Sequence, residues 1–326
     1  MKHLTFSPIR VAALALIACV SLAGTPAFAQ SDKITRFILP VAAGSGVDAI
    51  MRASSKALSG ALGAAVVIDN QPGAGGIVGT AAMVKSAPDG ATLSVVSNNH
   101  VIYPSVYKSL PFDPINDITP IAIIGNTPMI LVVNPKVAAN NSKELIALLK
   151  ANPESLNYAS SGNGTILHLA AEMFLDEAGV KAKHIPYKGA GPMITDLLGG
   201  QVDFGVLALP AVQAHLKSGA LRAIGTSSTA RVAAAPTIPT FAEQGLPNYI
   251  VDGWFAVIGP KQLPASEVKR IHAAFSAAFA TSEVKETMSK QGNTIAISSP
   301  EAATAFFRSE LDKYARLVKK AGVKLD

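Results

Sequence analysis

The sequence predicts an α/β fold of two domains joined by two hinge strands, and three observations carry that reading. Short apolar strand-like runs alternate with helix-like stretches along the chain, the pattern of strand–loop–helix units built on largely parallel sheets. Several of these units turn from strand to helix through loops of Gly, Ser and Asn. Two apolar segments, Met129 to Asn134 and Ile250 to Ile258, read as crossings between domains, so one domain is discontinuous and the other is inserted into it.

Thr35 to Leu39 reads as the first strand, followed by a helix from Val47 to Leu62 whose apolar face carries Val47, Met51, Leu58 and Leu62. Ala65 to Asp69 is a second strand. A glycine-rich turn, Gly73 to Gly76, leads into a helix ending near Ser86, and Ala87-Pro88-Asp89-Gly90 turns the chain into a third strand at Thr92 to Val96. Ile118 to Ile124 and Met129 to Asn134 read as two further strands. Asn141 or Ser142 then caps a helix through Lys150.

The inserted segment repeats the unit, with strands at Asn157 to Ala159, Lys183 to Ile185, Val202 to Val206 and Arg222 to Thr226. Helices are expected at Ile166 to Ala178, near Pro192 to Leu198 and near Ala211 to Ser218. After the return strand come helices at Pro264 to Ala280 and Glu283 to Gln291, and a strand at Thr294 to Ile297. Ser299-Pro300-Glu301 places an N-cap, an N1 proline and an acidic first turn in order. The closing helix so begun presents Phe307, Leu311, Tyr314 and Val318 on one face. The expected organisation is two Rossmann-like domains, one from 30–129 plus 254–326 and one from 130–253.

Residues 1–29 read as a secretory signal peptide rather than as part of the fold. Lys2 and Arg10 precede an apolar run from Val11 to Gly24, and Ala27-Phe28-Ala29 has the small-x-small cleavage pattern. Leu16-Ile17-Ala18-Cys19 offers an alternative lipobox, but Val20 to Ala23 stays apolar and the better cleavage site follows. Cys19 is the only cysteine, so cleavage after Ala29 leaves no disulfide, thiolate ligand or cysteine nucleophile. The formal charge of +6 is mild and spread out, with few aromatic residues between the basic ones. A nucleic-acid surface is therefore not expected.

Two loops stand out, Ala42-Ala43-Gly44-Ser45-Gly46-Val47-Asp48 and Ser160-Ser161-Gly162-Asn163-Gly164-Thr165, each between a strand pattern and a helix pattern. A helix start carries unpaired N–H groups and about half a positive charge, so two converging starts can hold a carboxylate without Arg or Lys. Charge-assisted hydrogen bonds contribute about 1.5 to 3 kcal/mol each, and a micromolar site needs about 8 kcal/mol. Asp48 would repel an anion, which favours a role in orienting the loop. Gly73 to Gly79 is spaced GxGxxxG in the second unit and reads as a packed helix start rather than a dinucleotide site. His168 and Glu172 are four apart on one helix, but without further clustered ligands a structural hydrogen bond is the stronger reading than zinc. Tyr187 in Pro186-Tyr187-Lys188-Gly189 either reaches the cleft or packs its loop. No catalytic residue, metal ligand or cofactor is assigned; an exported serine-dependent hydrolase, with Ser161 served by His168, is the alternative function.

Pro40 to Asp48, Asp69 to Gly76, Ala87 to Gly90, Ser160 to Gly164, Pro186 to Gly189 and Leu198 to Asp203 together carry a family resemblance. In these ordered motifs the chain resembles the Bug-type periplasmic substrate-binding proteins of tripartite tricarboxylate transporters. The resemblance implies a periplasmic Venus-flytrap receptor, expected to be a monomer, that closes on a small organic carboxylate and hands it to transmembrane permease subunits. An orphan receptor feeding a sensor is a further alternative. By position, ligand contacts would come from Gly44, Ser45, Gly46, Val47 and Asp48, and from Ser97 and Asn98. The inserted domain would add Ser160, Ser161, Gly162, Asn163, Gly164, Thr165, Leu207 and Ala208. Two departures shift the expected ligand towards an apolar or aromatic carboxylate. The first loop lacks the family's GGGTD, and Leu207-Ala208-Leu209-Pro210 stands where Asp or Asn is common.

Overall fold

The computed structural model of the chain describes residues 33–151, 153 and 155–323, so the expected signal segment with its cleavage site and Cys19 lies outside the described residues. Strands β1 (Ile34–Leu39), β2 (Ala65–Asn70) and β3 (Thr92–Ser97) are joined by α1 (Gly46–Leu62) and α2 (Ile77–Val84), and β1 pairs in parallel with both neighbours. These crossovers fit the period-2 apolar runs separated by amphipathic stretches. A helix not foreseen from the sequence, α3 (Asn99–Val106), follows β3 and includes Pro104. Its eight residues give too little periodicity to stand out.

The two strands expected at 118–124 and 129–134 are one 16-residue strand, β4 (Ile118–Val133). Gly125, Asn126, Thr127 and Pro128 resemble a turn in sequence but continue the ladder against β9 (Asp252–Pro260), which runs antiparallel to both β3 and β4. β4 changes partners along its length, with Pro128 still opposite Asp252 and Met129 opposite Ala208 of β7 (Phe204–Ala208). Beyond that point α4 (Ser142–Ala151), β5 (Asn157–Ser160), α5 (Ile166–Ala178), β6 (Lys183–Pro186) and α6 (Ala190–Gly199) build the second half. β7, α7 (Leu209–Lys217) and β8 (Arg222–Thr226) complete it. β5 is parallel to β6 and β7, whereas β7 and β8 are antiparallel to β4.

The sheet order is β2-β1-β3-β9-β4-β7-β5-β6, with β8 and β10 (Thr294–Ile295) also on β4. The arrangement is mixed rather than largely parallel, because β4 and β9, the two crossings, run against their neighbours. Two α/β halves, each Rossmann-like, are joined through these strands. Val202 to Val206, read as a strand, is displaced two residues in the structure, so Leu207 and Ala208 end β7 instead of forming a loop.

Alternation along β1, β3 and β9 divides the first lobe's core. Phe37, Leu39, Val95, Phe255 and Val257 belong to one buried cluster with α8 (Ala265–Ala280) and α9 (Ser282–Lys290), while Ile38, Val96, Ala256 and Ile258 face the other side. There α10 (Pro300–Ala321) buries Phe307, Tyr314 and Val318, worth about 1.5–3 kcal/mol for a large apolar side chain. As expected, Ser299 caps it by accepting from the Ala302 amide. Among the described residues no helix is long and apolar enough to cross a membrane.

Candidate functional site: a cavity between the lobes

Between the lobes lies a cavity of ≈ 620 Å³. Ser45, Gly46 and Val47 reach it from the first loop, and Ser161, Gly162 and Asn163 from the second. Ser97, Asn98, Tyr187, Leu207 and Ala208 also line it. Gly44, Asp48, Ser160, Gly164 and Thr165 do not; Gly44 is exposed, and the other four are buried behind the wall. Two opposed loops therefore meet at one space, each showing its middle residues.

The first loop is turned outward by a buried carboxylate. Asp48, 3% exposed, accepts from the Gly44 amide at 2.9 Å, from Arg52 Nε at 3.0 Å and from Asn70 Nδ2 at 3.0 Å. Burial pushes the Asp48 carboxyl up, but the Arg52, Gly44 and Asn70 hydrogen bonds outweigh it and hold it below the usual carboxylate range. Ser45 caps α1 by accepting from the Asp48 amide at 3.2 Å. The Gly46 and Val47 amides find no acceptor among the described residues, so two donors at a helix start face the cavity.

The second loop is tied by hydroxyl and imidazole groups. Ser160, fully buried, accepts from the Gly162 amide at 3.2 Å and donates to the Gly162 carbonyl at 3.1 Å. Thr165 caps α5, donates to the Gly162 carbonyl at 2.8 Å and accepts from the Ser161 hydroxyl at 3.1 Å. The Ser161 and Asn163 amides are left without an acceptor among the described residues. At the start of α5 the Ile166 amide donates across the cleft to Asn99 Oδ1 at 2.7 Å. That donor is thus taken by the other lobe.

Other candidates are engaged in ways the sequence does not reveal. The Asn98 side chain is fully buried, donating to Tyr314 and accepting from the Trp254 amide, which joins β3, β9 and α10. Tyr187 lines the cavity, yet its hydroxyl donates to Asp196 at 2.7 Å. Burial first, and Asp196 second, push that phenol up to about 12. The expected His168–Glu172 hydrogen bond is absent: the atoms are 3.9 Å apart, and the Gly164 amide donates to His168 Nδ1 at 3.0 Å instead. Among the described residues no three His, Cys, Asp or Glu side chains group as metal ligands.

Several lining residues were not singled out as site residues from the sequence: Thr127 and Met129 on β4, Trp254 on β9, Tyr107, Lys188, and Pro72 to Gly76. Pro72 to Gly76 had the same small-residue composition as the two loops, which was the available signal. Lys188, exposed, is the one charged residue among the described residues of the cavity wall. The lobes approach closely at three glycines. A Cβ on Gly46 would lie 2.7 Å from Ala208 Cβ, one on Gly189 2.5 Å from Ala42 Cβ, and one on Gly164 2.4 Å from Val106 Cγ1.

Two α/β lobes sharing crossing strands and enclosing a loop-lined cavity define the periplasmic-binding-protein architecture. The pattern of the "Tripartite tricarboxylate transporter family receptor" family matches residues 50–323. Protein BugT of Bordetella pertussis is 34% identical over 312 residues, spanning 94% of this chain and 96% of that protein. The solved structure of periplasmic binding protein BugD superposes with a TM-score of 0.86 at 31% identity, covering 90% of this chain and 99% of that one. An R. palustris protein solved with adipate also gives 0.86, at 28% identity over 89% of this chain and 98% of that one. The chain belongs to the tripartite tricarboxylate transporter receptor family.

Proposed function

We propose that this chain is a periplasmic receptor that captures a small organic carboxylate with an apolar body and delivers it to transmembrane permease subunits, without transforming it. The observation that carries the reading is the cavity wall. Amides of Gly46, Val47, Ser161 and Asn163 that find no acceptor among the described residues come from opposite lobes, and no acidic side chain among the described residues lines the space. Such donors favour an anion, while an ammonium group would find no carboxylate partner. Val41, Val47, Met129, Leu207, Ala211 and Trp254 supply apolar wall for the rest of the ligand.

In this reading 30–129 with 254–326 move as one body and 130–253 as the other, opening about β4 and the start of β9. Residues 1–29 direct export, and the receptor acts as a monomer. Two geometries support transport over hydrolysis: Ser161 donates to Thr165 while His168 accepts from an amide, so that pair is not joined as a nucleophile and base, and Ser160, which does meet a histidine, is fully buried behind the cavity wall. Adipate in a relative supports the carboxylate class.

Thermal unfolding across a panel of mono- and dicarboxylates tests the proposal. A cognate acid at 100 times its Kd is expected to add about 2.7 kcal/mol of stability, and mass spectrometry of the denatured protein should release an acid of the same class. A panel without any shift, from protein shown to be free of ligand, contradicts it.

A further inference from the structure

The Ser160–Thr165 loop rests on two stacked histidine rings. His168 on α5 and His184 on β6 lie face to face, with centroids 3.9 Å apart and planes 11° apart. Each ring holds part of the loop. The Gly164 amide donates to His168 Nδ1 at 3.0 Å, and His184 Nε2 lies 2.7 Å from Ser160 Oγ, the same oxygen that accepts from the Gly162 amide. Because Nδ1 of His168 accepts, that ring is neutral with its proton on Nε2.

A charged imidazole donates from both nitrogens, so protonated His168 would aim an N–H at the Gly164 N–H. Two imidazolium rings at this separation would also repel strongly. The ionisable groups facing the pair are Tyr158 of β5, which stacks on His184 with centroids 4.8 Å apart, and Glu172 of α5. The near oxygen of Glu172 already accepts the Tyr158 hydroxyl. Burial, with His184 second, holds His168 down at about 3, and burial holds His184 at about 4.

We propose that His168 and His184 are positioning residues for ligand capture: as a neutral stacked pair they hold Gly162 and Gly164 so that Ser161–Asn163 face the cavity, and proton uptake by the pair releases the loop and the ligand. The proposal rests on the carboxylate-receptor reading for its last clause only. The sign follows from the lowered folded-state values: the pair's support is fully present above the ordinary histidine value of 6.5 and is lost as pH falls through about 4 and about 3.

The test is nuclear magnetic resonance of the Gly164 amide, read as its exchange protection factor from pH 8 to pH 3.5, in wild type, His168→Gln and His168→Leu. Titrations with adipate and benzoate run beside it, comparing proteins at equal pH so that the probe's own protonation cancels. Wild type should lose Gly164 protection in acid. His168→Gln keeps an acceptor without a titratable proton, so it should stay protected to lower pH and bind within threefold of wild type at pH 7. His168→Leu should lose protection at every pH and at least tenfold in affinity. Equal protection in a folded His168→Leu, or an acid profile of His168→Gln identical to wild type, overturns the proposal. Should His168→Leu not fold, the His168→Gln profile decides alone. If neither probe binds wild type, the ligand clause fails and the Gly164 data still decide whether the pair holds the loop.

Discussion

The loop before α1 hangs on an ionised carboxylate tied to Arg52 and Asn70, whereas the loop before α5 hangs on hydroxyls and two neutral imidazoles. Both arrangements aim backbone amides at one cavity, whose wall carries no acidic side chain among the described residues. They differ in what unmakes them. The support from Asp48 is fully present above the ordinary value of 3.8 and is lost only as pH falls below it, because its folded-state value is lowered. The histidine pair begins to lose its contribution below 6.5. The two supports are therefore expected to start weakening at different pH, the histidines' from 6.5 downward and the carboxylate's from 3.8 downward.

The largest effect is expected where the first loop is cut from its support. Asp48→Ala leaves the Gly44 amide without its acceptor, strips Arg52 of its buried partner and leaves Asn70 Nδ2 only the Val41 carbonyl, and urea unfolding should show a loss of about 3 kcal/mol. Asp48→Asn should recover part of it.

A pair of glycine variants sharpens the contrast between the loops. Gly164 has φ +68 and faces Val106 at 2.4 Å, so Gly164→Ala is strained in addition to being crowded; it should cost more than tenfold in affinity and lower the melting temperature of the free protein. Gly46 has an ordinary helical backbone and meets only Ala208 of the other lobe, at 2.7 Å. Gly46→Ala should therefore weaken binding about tenfold, equivalent to about 1.4 kcal/mol, with little change in the melting temperature without ligand. Calorimetry and thermal scans separate these outcomes. Equal melting temperatures for both variants would break the comparison.

The stability of ligand-free protein should fall between pH 6.5 and pH 5 in wild type, and less so in His168→Gln, as followed by denaturant titration at each pH. The smallest effect belongs to Tyr187→Phe. Its ring stays on the wall while the bond to Asp196 is lost, so affinity should stay within about twofold and stability should fall by about 1 kcal/mol. A larger loss of affinity would mean that the hydroxyl leaves Asp196 for the ligand.

Much of this fold was legible because it rests on local signals. α5 and β8 run between the residues read from periodicity, and the Ser299-Pro300 start of α10 follows from capping chemistry alone. The single strand β4 was not legible: Gly125 to Pro128 imitate a turn, and only tertiary pairing with β9 keeps them extended. For the site, small-residue loops after strands pointed to Ser45–Val47 and Ser161–Asn163. The family's positional pattern added Leu207 and Ala208. Neither could reveal that Asn98 is spent on Tyr314 and Trp254, or that Asn99 takes the Ile166 amide from across the cleft. Those contacts join residues far apart in sequence, where spacing carries no information.

Trp254, the only tryptophan, lines the cavity and can report its occupation. The most direct measurement is a fluorescence titration of ligand-stripped protein with matched pairs, adipate against adipamide, benzoate against benzamide and hexanoate against hexanamide. At least one acid should saturate the signal while its uncharged amide binds about a hundredfold more weakly, since the amides of Gly46, Val47, Ser161 and Asn163 would then be donating to a neutral oxygen. Equal binding of an acid and its amide would contradict the carboxylate-receptor reading.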